Sequence, residues 1–501
     1  MNQKKISSVK VFLWGQTVGY LYWDERKDVG LFSYDRAFLK SGHEVSPLDH
    51  PLTDPSSLLT FRGIKDKPYN GLPPFLADSL PDDWGNLVFQ VTGPKPSMTK
   101  LERLSYIGKR GMGAFEFAPA SPLGIKDSTV QIKALKELAD KIYKQRSEVV
   151  ITPEEELTKE RLRAIGTSAG GRMPKAIIAI GGNGEIRSGQ VANPERFRYC
   201  ILKFQTPDHP CSCRIEMVYY RMALEAGIKM SGSEILPLEG EYHFLTERFD
   251  RTGNEKIHTQ TLAAMAPGVI SYEELLSVCR RLDLPYSQME QIFRRMVFNV
   301  FACNTDDHVK NHSFLLRQGG RWELAPAYDI TFTLDLDSPA IHHTRCMSIR
   351  GKYYDIFEED LIEFAREQGI KYPGKIIDQV ALAICSFYEK AIDEKVSPYW
   401  IEAIEREISK VIPERYRDRL THHRMPDIPA YTESGHEISD IVLEETVSHD
   451  VKISAIVDGK SLWHILGHKK AETKSLLEQG CQTLPVDTIK ILVSKYLLSK
   501  N

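Results

Sequence analysis

Apolar and polar positions change rhythm along this chain. The first stretch alternates. Val9–Trp14 (VKVFLW), Gly19–Trp23 (GYLYW) and Val29–Tyr34 (VGLFSY) are short runs rich in β-branched and aromatic residues, parted by turn formers, and predict strands. Gly71–Phe89 (GLPPFLADSLPDDWGNLVF) opens on a Pro-Pro breaker, turns helical and breaks again at Leu80-Pro81-Asp82. Tyr106–Pro119 is a Gly-punctuated loop entering a strand, and Gln131–Arg146 has helical period. Glu154–Arg163 is a charged surface stretch. Gly166–Gly182 is a loop of small residues feeding a strand, and Arg198–Phe204 (RYCILKF) is another strand. Arg214–Gly227 predicts a helix with a Gly C-cap, and Tyr242–Arg251 (YHFLTERFDR) predicts a strand that leaves into a turn at Thr252-Gly253.

From Ser271 onward the period is mostly helical. Ser271-Tyr272-Glu273-Glu274 predicts a capping box, and Gln291–Cys303 is apolar enough for a buried helix. SFLLR and RWELA, either side of Gln318-Gly319-Gly320, predict a β-hairpin. Gly374–Glu394 and Ser397–Val411 predict further helices, and breakers after Arg424 mark a boundary. Beyond it, Val451–Val457 is strand-like up to a turn at Asp458-Gly459, while LWHIL (Leu462–Leu466) and Thr488–Leu498 place apolar positions at helical spacing. So many apolar positions predict an ordered appendage. The expected divisions are residues 1–120, a β-rich subdomain; 121–260, a sheet lobe; 261–424, a helical lobe; and 425–501, an extension. That order predicts an α+β, protein-kinase-like two-lobed fold.

Composition narrows the function classes. A net charge of −3 over 501 residues gives no global drive toward nucleic acid or membrane. No apolar run has the length of a membrane helix, and the N-terminus lacks a signal-peptide core, which predicts a cytoplasmic protein. Cys211-Ser212-Cys213, with His209 nearby, has no second C-x-C or C-x-x-C pair to complete a zinc shell, so reduced thiols are expected.

The chemistry concentrates in NTDDHVKN, Asn304–Asn311, followed by LAPAYD, Leu324–Asp329. Asp306 stands five residues before Asn311, and Asp329 follows after the hairpin. Phosphoryl transfer needs such a set: one Asp to orient the substrate hydroxyl, and an Asn and a second Asp to hold the Mg²⁺ bridging the ATP phosphates. Lys203 lies mid-strand between apolar neighbours, where burial requires an anion such as phosphate; its alternative is a solvent-facing position. Glu216 can pair with Lys203 or serve the helix dipole. Ser168–Lys175 (SAGGRMPK) supplies small residues and two cations, a loop able to wrap phosphates, though it lacks the ending of a Walker A motif. Glu247 and Phe249 sit where a hinge would offer backbone groups and a ring to adenine.

From about residue 8 to about residue 415 the chain resembles the HipA-family serine/threonine kinases, the toxin half of type II toxin–antitoxin pairs. The motifs that carry the resemblance run in order: LPDDWGN, IGKRGMGA, GTSAGGRMPKA, ILKF, ERFDR followed by His258, NTDDHVKNHSFLL, LAPAYD and MSIRGK. The resemblance implies Asp306 as catalytic base, Asn311 and Asp329 as Mg²⁺ ligands, and Lys203 on the ATP phosphates. It implies nucleotide contacts from Gly170, Gly171, Arg172, Met173, Pro174 and Lys175, from Glu247, Arg248 and Phe249 at adenine, and from His308, Lys310 and Tyr328. Glu216 would support Lys203. Ser168 would be an autophosphorylation site that shuts the kinase down. A HipB-like helix-turn-helix antitoxin, through which DNA would be contacted, and an aminoacyl-tRNA synthetase as substrate are implied too. A small-molecule kinase of the same fold and a regulatory pseudokinase are the alternative readings.

Overall fold

The computed structural model describes residues 6–54, 60–81, 83–92, 98–120, 131–145, 173–194, 196–334, 344–421, 430–431, 437–445, 450–457 and 460–468. The fold is α+β and two-lobed, with a β-rich N-terminal part and a helical C-terminal part. Strands β1 (Ser8–Leu13), β2 (Gln16–Asp24), β3 (Val29–Tyr34) and β4 (Phe61–Arg62) come first. Helices α1 (Pro74–Ala77), α2 (Asp83–Thr92) and α3 (Lys100–Ile107) and strand β5 (Phe115–Ala118) follow. The sheet is antiparallel in the order β4-β3-β2-β1-β5. Strict alternation in β1 turns Val9, Val11 and Leu13 inward, where they pack with Leu101, Leu104 and Ile107 of α3. Thr99 caps α3 in a complete capping box with Glu102.

Next come α4 (Ile132–Gln145), β6 (Lys175–Ile180), β7 (Ile186–Ser188), β8 (Arg198–Lys203), α5 (Ser212–Glu225), β9 (Ser233–Leu238) and β10 (Glu241–Glu247). A second antiparallel sheet runs β7-β6-β8-β10-β9. One of its faces packs on α4 and on Trp84 and Val88 of α2. The Trp84 indole N–H bonds the Lys175 carbonyl at 2.9 Å, which ties α2 to this sheet. β10 ends at Glu247, short of the predicted Arg251: the Arg248 N–H still bonds Tyr199 O at 2.9 Å, and the chain leaves after it as the Arg248 side chain folds onto Asp250.

After a small hairpin, β11 (Arg251–Thr252) with β12 (Glu255–Lys256), the chain forms β13 (His258–Thr261), α6 (Leu262–Met265), α7 (Tyr272–Arg281), α8 (Tyr286–Phe301), β14 (Ser313–Leu316) and β15 (Trp322–Leu324). β13, β14 and β15 make a three-stranded sheet. Ser271 caps α7 as predicted, but Glu274 reaches the N–H of Ile270 rather than that of Ser271. Helices α9 (Glu358–Gln368), α10 (Pro373–Cys385), α11 (Phe387–Asp393), α12 (Pro398–Val411) and α13 (Glu414–Thr421) complete the lobe. The single helix predicted over Gly374–Glu394 is two. Ser386 interrupts it, its hydroxyl donating to Ala383 O and accepting from Lys390 Nζ. The lobe's core centres on α8, where residues Ile292–Phe301 are all buried.

Strands β16 (Ala430–Tyr431), β17 (Glu437–Glu445), β18 (Asp450–Val457) and β19 (Lys460–His468) form a separate antiparallel sheet in sequence order. LWHIL, predicted at helical spacing, is therefore strand. Five apolar-rich residues cannot distinguish the two periods, and pairing with β18 decides. Thr488–Leu498 lies outside the described residues, as does the turn at Asp458-Gly459. Among the described residues no helix is long and apolar enough to cross a membrane.

Candidate active site

Helix α8 delivers the chain to the site through a left-handed turn. The N–H of Asn304 bonds Asn299 O at 3.0 Å and that of Cys303 bonds Val300 O at 3.3 Å, the pairing of a Schellman motif. Cys303 takes the left-handed position at φ +56°, where glycine is usual. Beyond it the Thr333 hydroxyl accepts from the N–H groups of Thr305 (2.7 Å) and Asp306 (3.2 Å). The loop backbone is thus fixed on both sides of the turn.

The adjacent aspartates then part company. Asp307 is buried and takes hydrogen bonds from Tyr272 Oη (2.8 Å) and from the N–H groups of Cys346 and Met347 (3.1 and 3.3 Å), with Arg345 Nε 3.4 Å away. Asp306 stays open, its side chain 58% exposed, with His308 Nε2 at 3.8 Å and the Cys346 thiol donating to it at 3.7 Å. Partial burial raises the Asp306 carboxyl above its ordinary value; His308 opposes the rise and Asp329 adds to it.

Asn311 donates its side-chain N–H to Asp306 O at 2.7 Å. With the amino end so engaged, Oδ1 is the end left for a cation. Strands β14 and β15 carry the chain from Asn311 to Asp329, which sits at φ +56°, a conformation Asp tolerates better than most residues. Asn311 and Asp329 line one cavity of about 10 Å³, room for a single water-sized occupant. Both present hard oxygen donors of the kind Mg²⁺ accepts alongside phosphate and water, so the residues fit that ion.

Lys203 is the junction of the site. Its Nζ bonds Glu216 Oε1 at 2.6 Å and also Asp329 Oδ1. Its side chain is only 16% exposed, which excludes the solvent-facing alternative. Glu216 is the fifth residue of α5 and faces Lys203, so pairing rather than the helix dipole explains it. Lys175, opposite Lys203 in the β6–β8 register, adds a second positive charge. Burial works against the Asp329 carboxylate, but Lys203 and then Lys175 overcome it and hold the group at about 2. Glu216 moves the other way: burial raises it, and Lys203 only partly compensates. Of the two carboxylates sharing Lys203, Asp329 carries the firm negative charge.

The strand end after β10 is built differently. The Glu247 N–H bonds Gly232 O at 2.8 Å, and its carboxylate takes Arg198 at 2.9 Å. The Arg248 guanidinium is fully buried against Asp250, at 2.7 and 2.8 Å, and does not enter the cleft. Phe249 meets the ring of Tyr328 at 5.5 Å, and Tyr328 Oη donates to Lys310 O at 2.6 Å. Lys310 itself is exposed. Pro174 O accepts from Phe204 N at 2.9 Å, and Met173 is half-buried. Ser168, Gly170, Gly171 and Arg172 lie outside the described residues.

The structure therefore brings Glu216, Lys203 and Asp329 into one contact chain and braces Asn311 on the loop of Asp306, with Asn311 and Asp329 lining one cavity, while the Arg248 side chain is engaged with Asp250. Reading the sequence overlooked Thr333, Asp307, Arg345 and Tyr272, which hold the loop. One signal was available, because two neighbouring carboxylates avoid facing the same cleft. Asp78 was overlooked too; it accepts from Thr261 N and Oγ1 (2.7 and 2.9 Å) and pins the N-terminal part beside α6.

The chain resembles known proteins in sequence and in fold. The profile described as "HipA N-terminal domain" matches residues 9–118, and that described as "HipA-like C-terminal domain" matches residues 167–387. A curated Haemophilus influenzae protein described as "Putative kinase" is 26% identical over 149 residues, an alignment that takes in 26% of this chain and 43% of that protein. The solved Shewanella oneidensis HipA, in its complex with HipB and operator DNA, superposes with a TM-score of 0.54 at 17% identity, covering 82% of this chain and 95% of that one. Two profiles spanning most of the chain, in the order the fold requires, make it a member of the HipA family.

Proposed function

We propose that the chain is a Mg-ATP-dependent kinase that phosphorylates serine or threonine in a protein, acting as the toxin of a HipA–HipB-type pair. The observation that carries this reading is the contact chain Glu216–Lys203–Asp329, next to an Asn311 whose amide is braced on the loop of Asp306. Lys203, held strongly protonated, would neutralise phosphate oxygens. Asn311 Oδ1 and Asp329 would hold Mg²⁺, which when bound supplies charge compensation across the phosphates. Asp306, open to the cleft, would orient the attacking hydroxyl and accept its proton. The Shewanella protein was solved with HipB and operator DNA, which supports a HipB-like antitoxin as partner. An aminoacyl-tRNA synthetase is the substrate class that the family likeness favours.

Labelled ATP with Mg²⁺ tests the reading. The native chain should transfer label to protein, and Asp306→Gln should lose at least about 10²-fold in turnover while keeping most ATP affinity, because the base does not hold the nucleotide. Near-native turnover in Asp306→Gln removes it from the mechanism. Label should also appear on Ser168. A phosphoryl group there adds about −1.5 to −2 charge to a loop meant to lie on the ATP phosphates, so Ser168→Asp should be nearly inactive and Ser168→Ala should resist self-inactivation. A Ser168→Asp variant as active as the native chain ends the switch.

A further inference from the structure

Away from this cleft, a cavity of about 440 Å³ opens where the N-terminal part meets the second sheet. Its size falls within the range of small-molecule sites. None of Lys203, Asp306, Asn311 or Asp329 lines it. Among the described residues, the lining includes four cations, Lys109, Arg110, Arg251 and Lys256, and one acidic residue, Glu116.

Among the described residues, the carboxylates at this wall are shared between cations. Glu116 is shared between Lys256 (2.9 Å) and Lys109 (3.5 Å). Asp250, behind the wall, is shared between Arg251 (2.8 Å) and Arg248 (2.7 Å). Each carboxylate thus meets two cations. Arg251 also donates to the carbonyls of Gly111 and Gly113, both at 3.1 Å, and Lys256 to that of Lys109 at 2.6 Å. Neutral donors would serve those carbonyls at lower desolvation cost. Burial, then the neighbouring Arg248, brings Arg251 down to about 10. Ile107, Val191 and Ala192 give the cavity an apolar side.

We infer that this cavity binds a small organic anion bearing a phosphate, its charge set against Lys109, Lys256 and Arg251 and its body against the apolar side. The inference stands apart from the proposed kinase activity, since it shares no residue with that site.

Calorimetry on the full chain with ribose 5-phosphate as probe, and inorganic phosphate as comparison, tests it. Ribose 5-phosphate should bind, and more tightly than inorganic phosphate. Lys109→Glu, at a side chain 75% exposed and so tolerant of change, should weaken it by about tenfold or more, as should Lys256→Gln. Lys203→Met, in the other cleft, should leave it unchanged. If Lys256→Gln melts early, Lys109→Glu decides. The inference is overturned if ribose 5-phosphate does not bind, if it binds no better than inorganic phosphate, if Lys109→Glu binds it as the native chain does, or if Lys203→Met abolishes binding.

Discussion

Lys203 shows how one residue joins structure to function. It is the only cation bonded to both Glu216 and Asp329 among the described residues, so Lys203→Met removes the proposed phosphate partner and strands two carboxylates at once. Stability should fall by about 3 kcal/mol, the low end for breaking a buried pair, because Asp329 keeps some access to water. Adding Glu216→Leu should restore part of that stability and none of the ATP affinity. If ATP affinity returns with stability, Lys203 is structural only. A second effect at this scale is acid lability. His258 and His312 are buried, and burial holds each at about 3; His243, also buried, is held at about 4. All three fold neutral, whereas the unfolded chain protonates them near 6.5. Below that pH the unfolded state binds more protons, so stability should drop as pH falls through 6.5, by up to about 1.4 kcal/mol per pH unit per site. His258→Phe should make the decline shallower, and a flat unfolding midpoint between pH 6.5 and 5 would contradict the buried neutral histidines. Asp306, Asn311 and Asp329 were legible in the sequence because their spacing is local and their residue types are few. Asp307 with Arg345, and Asp250 with Gly113, were not, since their partners lie 38 and 137 residues away and no period announces them.

Elements with a strong period were read correctly; two misreadings fall where a side chain overrides the pattern, and the third, LWHIL, where the run is too short to fix its period. Strands β1 and β3 and helix α4 match their periodic runs to within a residue, while α8 contains most of its predicted run but starts earlier, at Tyr286. The break at Ser386 and the early end of β10 are each imposed by one hydrogen-bonding group that period cannot reveal. The end of β10 has the larger energetic consequence. Arg248, Asp250 and Arg251 are buried together, and Asp250 also accepts from Gly113 N at 2.7 Å, which links the strand end to the loop before β5. Asp250→Asn keeps the shape and removes the charge between two guanidiniums. Unfolding in urea should show a loss of about 3–5 kcal/mol, the cost of leaving buried charges unpaired. A change below about 1 kcal/mol would mean that water already screens the triad.

At the scale of the whole molecule, the order of strand-rich and helical regions was enough to predict two lobes. Their joint could not be predicted from that order. His258 meets Phe115 at 4.3 Å with the rings tilted by 58°, and meets Trp322 edge-on at 5.7 Å, so the first sheet and the β14–β15 hairpin share one imidazole. The C-terminal sheet follows a different logic. β16 to β19 pair in sequence order, and β18 is flanked on both sides by its own chain neighbours. Such contacts are local, and four antiparallel strands exceed the minimum for independent stability. The HipA-like C-terminal profile ends at residue 387, well before this sheet begins. A chain truncated after Pro426 should therefore keep its unfolding midpoint in urea, its ATP affinity and its label transfer. Binding of a HipB-like partner to the truncated and full chains then assigns the sheet: loss with activity intact makes it a docking element, and retention makes it an appendage. A fall of more than about 1 kcal/mol in the stability of the remaining chain would show instead that the sheet packs on the catalytic lobe and that its local pairing does not make it autonomous.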